Sequence, residues 1–218
     1  MNTGTTITYV YGYNLYVNTT NKCDFSCDFC VRHNSHIGSV PASDLWLRRE
    51  PTVEEIVRSI ESYDLSKFNQ LVFCGFGEPT CRFDDICRVI DLLQEDGVKI
   101  PTRIDTNGTG CLINRRDICP DFKNRFDRVS ISLNTDTAER YEKLCHPAYP
   151  GSFEEMLRFA KEVQKYVPEV IMTVVDCISK EEIEHCRHSC EDEVGARFRV
   201  RSYITETRDE NEFEKQNI

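Results

Sequence analysis

The sequence has no run of about 18 apolar residues, the length a helix needs to cross a bilayer, and Met1–Thr6 carry neither the basic nor the apolar stretch of a secretory leader. These absences lead to the expectation of a cytoplasmic protein without a membrane partner. There is no surplus of positive charge either. Lys and Arg number 27 against 37 Asp and Glu, a formal charge of −10, so the chain has no field for drawing in nucleic acid or an anionic lipid surface. An internal repeat, a low-complexity segment and an interdomain linker are also missing. At 218 residues, 39% hydrophobic and 29% charged, the chain reads as one domain with its own core over 1–205, followed by a charged, solvated tail over 206–218.

What the chain has in quantity is cysteine, 12 residues. A reducing compartment disfavours disulfides, so some of these thiols are expected to be ligands. Cys23, Cys27 and Cys30 stand as C-x3-C-x2-C just after the short run Leu15–Thr19, which reads as a first strand. Four cysteines normally enclose a [4Fe-4S] cluster. If three hold one here, an iron keeps an open coordination site where a substrate or cofactor can bind. The alternative is a structural zinc site completed by His33 or His36.

From there, short apolar runs alternate with amphipathic stretches. Thr52-Val53-Glu54-Glu55 opens a helix with a capping box, and Val53, Ile56, Val57 and Ile60 form its apolar stripe. Ser152–Glu155 and Ser179–Glu182 read as two further capping boxes. Strands are expected at 71–74, near 101–106, 128–134, 169–176 and 196–204, and a helix near 83–96. These six βα-like steps predict an α/β fold, a single-domain partial (βα)6 TIM-like barrel with parallel strands.

The strands carry polar residues at period two. Ser130, Ser132 and Asn134 share one face of their strand and its end; Arg103, Asp105 and Asn107 share another, and Arg197, Arg199, Arg201 and Tyr203 a third. A sealed barrel fills its interior with Val, Ile and Leu, so polar inner faces imply a ligand-filled or solvent-accessible lumen. Outward placement on a half-covered sheet is the other reading.

The cysteine loop after the first strand, with Phe29 before its third cysteine, together with Gly75-Phe76-Gly77-Glu78-Pro79-Thr80 after the second, resembles the radical S-adenosylmethionine (SAM) superfamily. More narrowly, the runs 18–23, 30–32, 45–47 and 198–204 resemble the small radical SAM proteins associated with TatD-type hydrolases. The resemblance implies a [4Fe-4S] cluster on Cys23, Cys27 and Cys30. It also implies SAM on the fourth iron, reductive cleavage to a 5′-deoxyadenosyl radical, and hydrogen abstraction from a substrate the sequence does not name. An external one-electron reductant of flavodoxin or ferredoxin type and a functional link to a TatD-type hydrolase are further implications. Phe29, Gly75, Gly77, Glu78, Pro79, Asp105, Asn107, Ser132, Asn134 and Arg201 are the implied SAM-side residues. A glycyl-radical-type activase and a non-catalytic iron–sulfur electron carrier are the competing functions.

Local alternatives stand beside these roles. Gly75 and Gly77 also suit a plain strand-to-helix turn, and Asp105, Asn107 and Gly108 turn chemistry; Arg199 and Arg201 suit a clamp on a carboxylate or phosphate of SAM or substrate, with an ion pair to Asp105 as the competing account. Ile183, Cys186 and Cys190 fall on one helical face, so with Cys177 the cysteines read as buried core residues rather than a second cluster.

Overall fold

A computed structural model describes residues 6–33, 36–37 and 40–203. The 206–218 tail and Ile204 lie outside the described residues, as does the side chain of His36. The strands are β1 Thr8–Tyr11, β2 Asn14–Val17, β3 His36–Ile37, β4 Val40–Pro41, β5 Gln70–Phe73, β6 Thr102–Thr106, β7 Arg128–Ser132, β8 Glu169–Val175 and β9 Arg197–Arg201. The helices are α1 Ala42–Leu45, α2 Val53–Glu61, α3 Phe83–Glu95, α4 Gly110–Asn114, α5 Ala138–Cys145, α6 Ser152–Val163 and α7 Lys180–His188.

Seven strands form one sheet in the order β1-β2-β5-β6-β7-β8-β9, all parallel from β2 onward, while β3 and β4 make a separate small hairpin. The sheet is open between β1 and β9, which is the expected partial barrel. β1 adds an antiparallel strand outside the βα reading. It pairs with β2 through the two-residue turn Gly12-Tyr13, and a Gly at the first central position of such a turn is a hairpin signal that the sequence offers.

Curvature follows from the closeness of distant strands. β2 and β9 are five strand spacings apart, about 24 Å in a flat sheet, yet Tyr16 on β2 is near enough to bear on the pKa of Arg199 on β9. The sheet therefore curls around a lumen.

Its two faces differ in chemistry. Leu15, Val17, Leu71, Phe73, Ile104, Val129, Ile131 and Met172 point outward into the main core with the helices. Within that core Ile56 and Ile60 of α2 are fully buried, each contributing about 2 kcal/mol by removal from water. The inner face carries a smaller cluster of Tyr9, Tyr16, Leu45, Val72 and Phe76, and beyond it polar side chains.

The boxes at Thr52/Glu55 and Ser179/Glu182 form as predicted. The one at Ser152 does not, because Gly151 is the N-cap and Ser152 is already helical, its hydroxyl donating to Tyr149 O at 2.7 Å. Glu155 pairs instead with Arg158, one turn on.

Candidate functional site at the carboxyl ends of the strands

Parallel strands bring the loops that follow β2, β5, β6 and β7 to one end of the sheet. The loop after β2 holds Cys23, Cys27 and Cys30, all free and partly exposed. Cys30 N donates to Cys27 O and His33 N to Cys30 O, winding the loop into a tight turn. The Arg32 guanidinium, which sequence reasoning did not single out, lies against the Cys30 sulfur. Burial works against its charge, yet the Cys30, Cys23 and Cys27 groups raise its pKa. All three sulfurs therefore lie within electrostatic reach of one cation.

Two of those thiols, Cys23 and Cys27, are poorly solvated for anions. Burial, and then Glu78, push Cys23 up to about 12, while contact with the Cys145 thiol and burial raise Cys27. A strong cation is needed to hold them as thiolates. One zinc ion places its thiolates about 2.3 Å away and hence no more than about 4.6 Å apart. Among the described residues only Cys111, Asp117 and Cys119 gather their ligand atoms within 4.8 Å, and the three loop cysteines do not. The compact trio is internally satisfied: Cys111 Sγ contacts Asp117 Oδ1 at 3.7 Å, Asp117 Oδ1 accepts from Cys119 N at 3.0 Å, and Arg158 is alongside.

Side chains lock this loop to its neighbours. Asp24 accepts from Asn107 Nδ2 and from Thr109 Oγ1, both at 2.7 Å, which ties the cysteine loop to the loop after β6. Asn21 holds Leu47 through Nδ2 to O at 2.7 Å and from N to Oδ1 at 3.1 Å, and Asn18 Nδ2 donates to Leu45 O at 2.6 Å. The run Leu45-Trp46-Leu47 is thus a strap fastened by the asparagines that flank the cysteines. Trp46 packs edge-on against Phe76, with Arg32 6.0 Å from its ring. Neither Asp24 nor the two asparagines could be found by spacing, since each partner is distant in sequence.

The loop after β5 packs just as closely. A Cβ at Gly75 would come within 2.1 Å of Asn18 Oδ1, and one at Gly77 within 2.4 Å of Lys22 O. Both glycines are required by contact with the chain itself, and neither has positive φ. Phe76 takes its place without a left-handed backbone, its ring in the inner apolar cluster. Glu78 is buried and accepts from Thr80 N, Thr80 Oγ1, Thr106 Oγ1 and Asn107 N at 2.6 to 3.0 Å. Burial lifts its pKa to about 6 against these four bonds. Pro79 is buried at the start of the following 3-10 turn, and Phe29 packs half-buried on the main core.

On the inner face, Asp105 is held by its strand neighbour Arg103, Nε to Oδ1 at 2.8 Å, and Arg103 also donates to Tyr16 OH at 3.1 Å. This corrects the alternative of an Asp105 pair with Arg199 or Arg201. Ser132 ends β7 on the same face. Asn134, two residues on, has φ of 64°; its Nδ2 contacts Cys145 Sγ at 3.4 Å, and its buried Oδ1 has no hydrogen-bond partner. Such an orphaned acceptor at the lumen mouth suits a ligand hydroxyl.

The radical SAM superfamily profile matches residues 17–190. The chain belongs to the radical SAM superfamily. Members are enzymes that use a [4Fe-4S] cluster and SAM, with an electron supplied from outside. GTP 3′,8-cyclase of Corynebacterium glutamicum is 34% identical over 137 residues, 60% of this chain and 33% of the cyclase. Dual-specificity RNA methyltransferase RlmN 2 of Myxococcus xanthus is 28% identical over 144 residues, 59% of this chain and 34% of that protein. The chain thus spans about a third of the length of these relatives. The crystal structure of Streptococcus suis SuiB bound to SAM shares the fold with a TM-score of 0.63 at 20% identity, covering 90% of this chain and 42% of SuiB.

A depression of about 600 Å3, lined by Leu93, Val98, Ile100, Phe126 and Tyr166 among others, lies at the opposite, amino-terminal ends of the strands. In barrels of this kind that end serves stability, so the depression is no part of the site. Cys186 and Cys190 are fully buried and Cys177 is exposed. Among the described residues no helix is long and apolar enough to cross a membrane.

Proposed function

We propose that this chain is a radical SAM enzyme in which Cys23, Cys27 and Cys30 hold three irons of a [4Fe-4S] cluster and leave the fourth for SAM. The observation that carries the reading is the trio of free cysteines, all acting on Arg32, on one loop at the carboxyl ends of the strands. When bound, the cluster and SAM supply reductive cleavage of the sulfonium, yielding methionine and a 5′-deoxyadenosyl radical that takes a hydrogen atom from the substrate.

The chain's own part is placement. Gly75 and Gly77 let the loop after β5 lie directly on the cysteine loop, and the buried Glu78 with Pro79 fixes it there. Asn107 acts through Asp24, holding the cysteine loop at a set height above the sheet. Ser132 and the free Oδ1 of Asn134 offer hydrogen bonds to ribose hydroxyls. Asp105 and Arg201 face the lumen where the substrate enters, and Phe29 backs the cysteine turn against the core. The aromatic cluster of Tyr9, Tyr16 and Phe76 keeps water from part of the lumen wall, which a primary radical requires.

The narrower likeness to TatD-associated members supports a functional link to a TatD-type hydrolase, and a flavodoxin or ferredoxin supplies the electron. Neither names a substrate. The test is anaerobic reconstitution followed by dithionite and SAM: 5′-deoxyadenosine should form even without substrate. An intact cluster that forms none would make the chain an electron carrier instead.

A further inference from the structure

The register of the sheet places five arginines on the inner face, Arg103, Arg128, Arg197, Arg199 and Arg201, against two carboxylates, Asp105 and Glu169. This lumen is basic inside a chain whose formal charge is −10. At the amino-terminal rim Arg128 and Arg197 share Glu169, and both are open to water. Level with Arg128 in the register, Arg103 takes Asp105 and is itself buried. That leaves Arg199, level with Thr173, and Arg201, level with Val175. Neither forms an ion pair among the described residues, and the Nε of each is buried without a hydrogen-bond partner.

Arg103, Arg199 and Arg201 thus gather within electrostatic reach of one carboxylate, Asp105. Arg199 shows the strain of this arrangement. Burial lowers its pKa, Asp105 offsets part of that, and Arg103 and Arg201 lower it further. A buried charge without its own counter-ion destabilises a fold unless something else compensates. The planar fork of arginine matches the two oxygens of a carboxylate or phosphate. Tyr16 stands beside them, held protonated up to about 12 by burial, and is a ready hydroxyl donor.

We propose that the upper lumen binds an oxyanion group of the substrate, a carboxylate or phosphate, between the Arg199 and Arg201 guanidinium groups. The proposal rests on the radical SAM reading of the mouth above it and adds the chemical class of what enters. Arg201 is thereby assigned to the substrate rather than to SAM. The anion completes the charge balance of the lumen, which explains why two partly buried arginines stand without an ion pair among the described residues.

The test is calorimetric titration of the iron-loaded protein with inorganic pyrophosphate and, separately, with succinate, each with and without saturating SAM. At least one probe should bind saturably with SAM present, pyrophosphate pointing to a phosphate substrate and succinate to a carboxylate. Arg199→Gln and Arg201→Gln should each weaken that binding 10-fold or more, and Arg199→Lys by less. Ligand-free Arg199→Gln should melt at or above the wild-type temperature, because it removes an uncompensated charge. The proposal is overturned if neither probe binds, if the Gln variants bind as well as wild type, or if SAM displaces the probe, since the arginines would then hold the carboxylate of SAM. A lowered melting temperature for Arg199→Gln would also overturn it, by making that charge structural. The dithionite assay on the same sample separates the two levels. If 5′-deoxyadenosine forms and no anion binds, this proposal alone fails; if none forms, the reading beneath it fails as well.

Discussion

Thr106 Oγ1 donates to Glu78 Oε1 across 2.7 Å, joining the last residue of β6 to the loop that follows β5. The same carboxylate takes Asn107 N at 2.8 Å on its other oxygen. One buried side chain therefore sets the spacing of two adjacent loops at the lumen mouth. Through Asn107 and Asp24 it sets the cysteine loop as well.

Glu78→Gln tests this hub. Oε1 serves three donors and Oε2 the Asn107 amide, so a carboxamide must turn its NH2 toward one of them. Leaving a buried donor unmet costs about 1 to 3 kcal/mol. The unfolding free energy from urea titration should fall by that amount with far-UV circular dichroism unchanged, and reconstituted iron per chain should fall with it.

Cysteine substitutions should divide cleanly. Cys27→Ala is expected to abolish both iron binding and SAM cleavage. Cys186→Ala removes a fully buried thiol from the core and should cost about 1 kcal/mol of stability while keeping iron and cleavage. Iron and 5′-deoxyadenosine assays on both variants check this, and loss of iron from the second would revive a second cluster.

Asn134→Gly keeps the left-handed backbone that Asn134 adopts at φ 64° and deletes its amide. A lost hydrogen bond of about 1 kcal/mol corresponds to roughly a 5-fold loss in SAM affinity. Equilibrium dialysis with labelled SAM should show this at unchanged iron content. Equal affinity would remove Asn134 from the SAM site.

The acid limb of stability should report Glu55. The Arg49 guanidinium and the Thr52 amide hold its carboxyl down to about 2, from an ordinary value of 4.5. A lowered folded pKa gives stabilisation that is complete above 4.5 and lost as pH falls toward 2. Thermal melts between pH 6 and 3 should therefore converge for wild type and Glu55→Gln as the pH drops, with wild type the more stable at pH 6.

The sequence by itself determined the alternation of strand and helix, the three-cysteine loop and the Gly-Glu-Pro loop. Each rests on neighbours: a period of two or 3.6, a capping residue three positions from its partner, or a thiol spacing within one turn. Thr52 capping α2 through Glu55 is of that kind. Where a local rule had two solutions, as at Ser152 beside Gly151, the packing of the preceding turn chose between them. Only the tertiary structure decided that Asn21 fastens Leu47, that Asp24 reaches Asn107 and that Asp105 belongs to Arg103. It also decided that Arg199 comes within reach of Tyr16. Most of these partners lie tens of residues apart in sequence, and Arg199 nears Tyr16 because the sheet curls, a property of seven strands together that no single segment encodes.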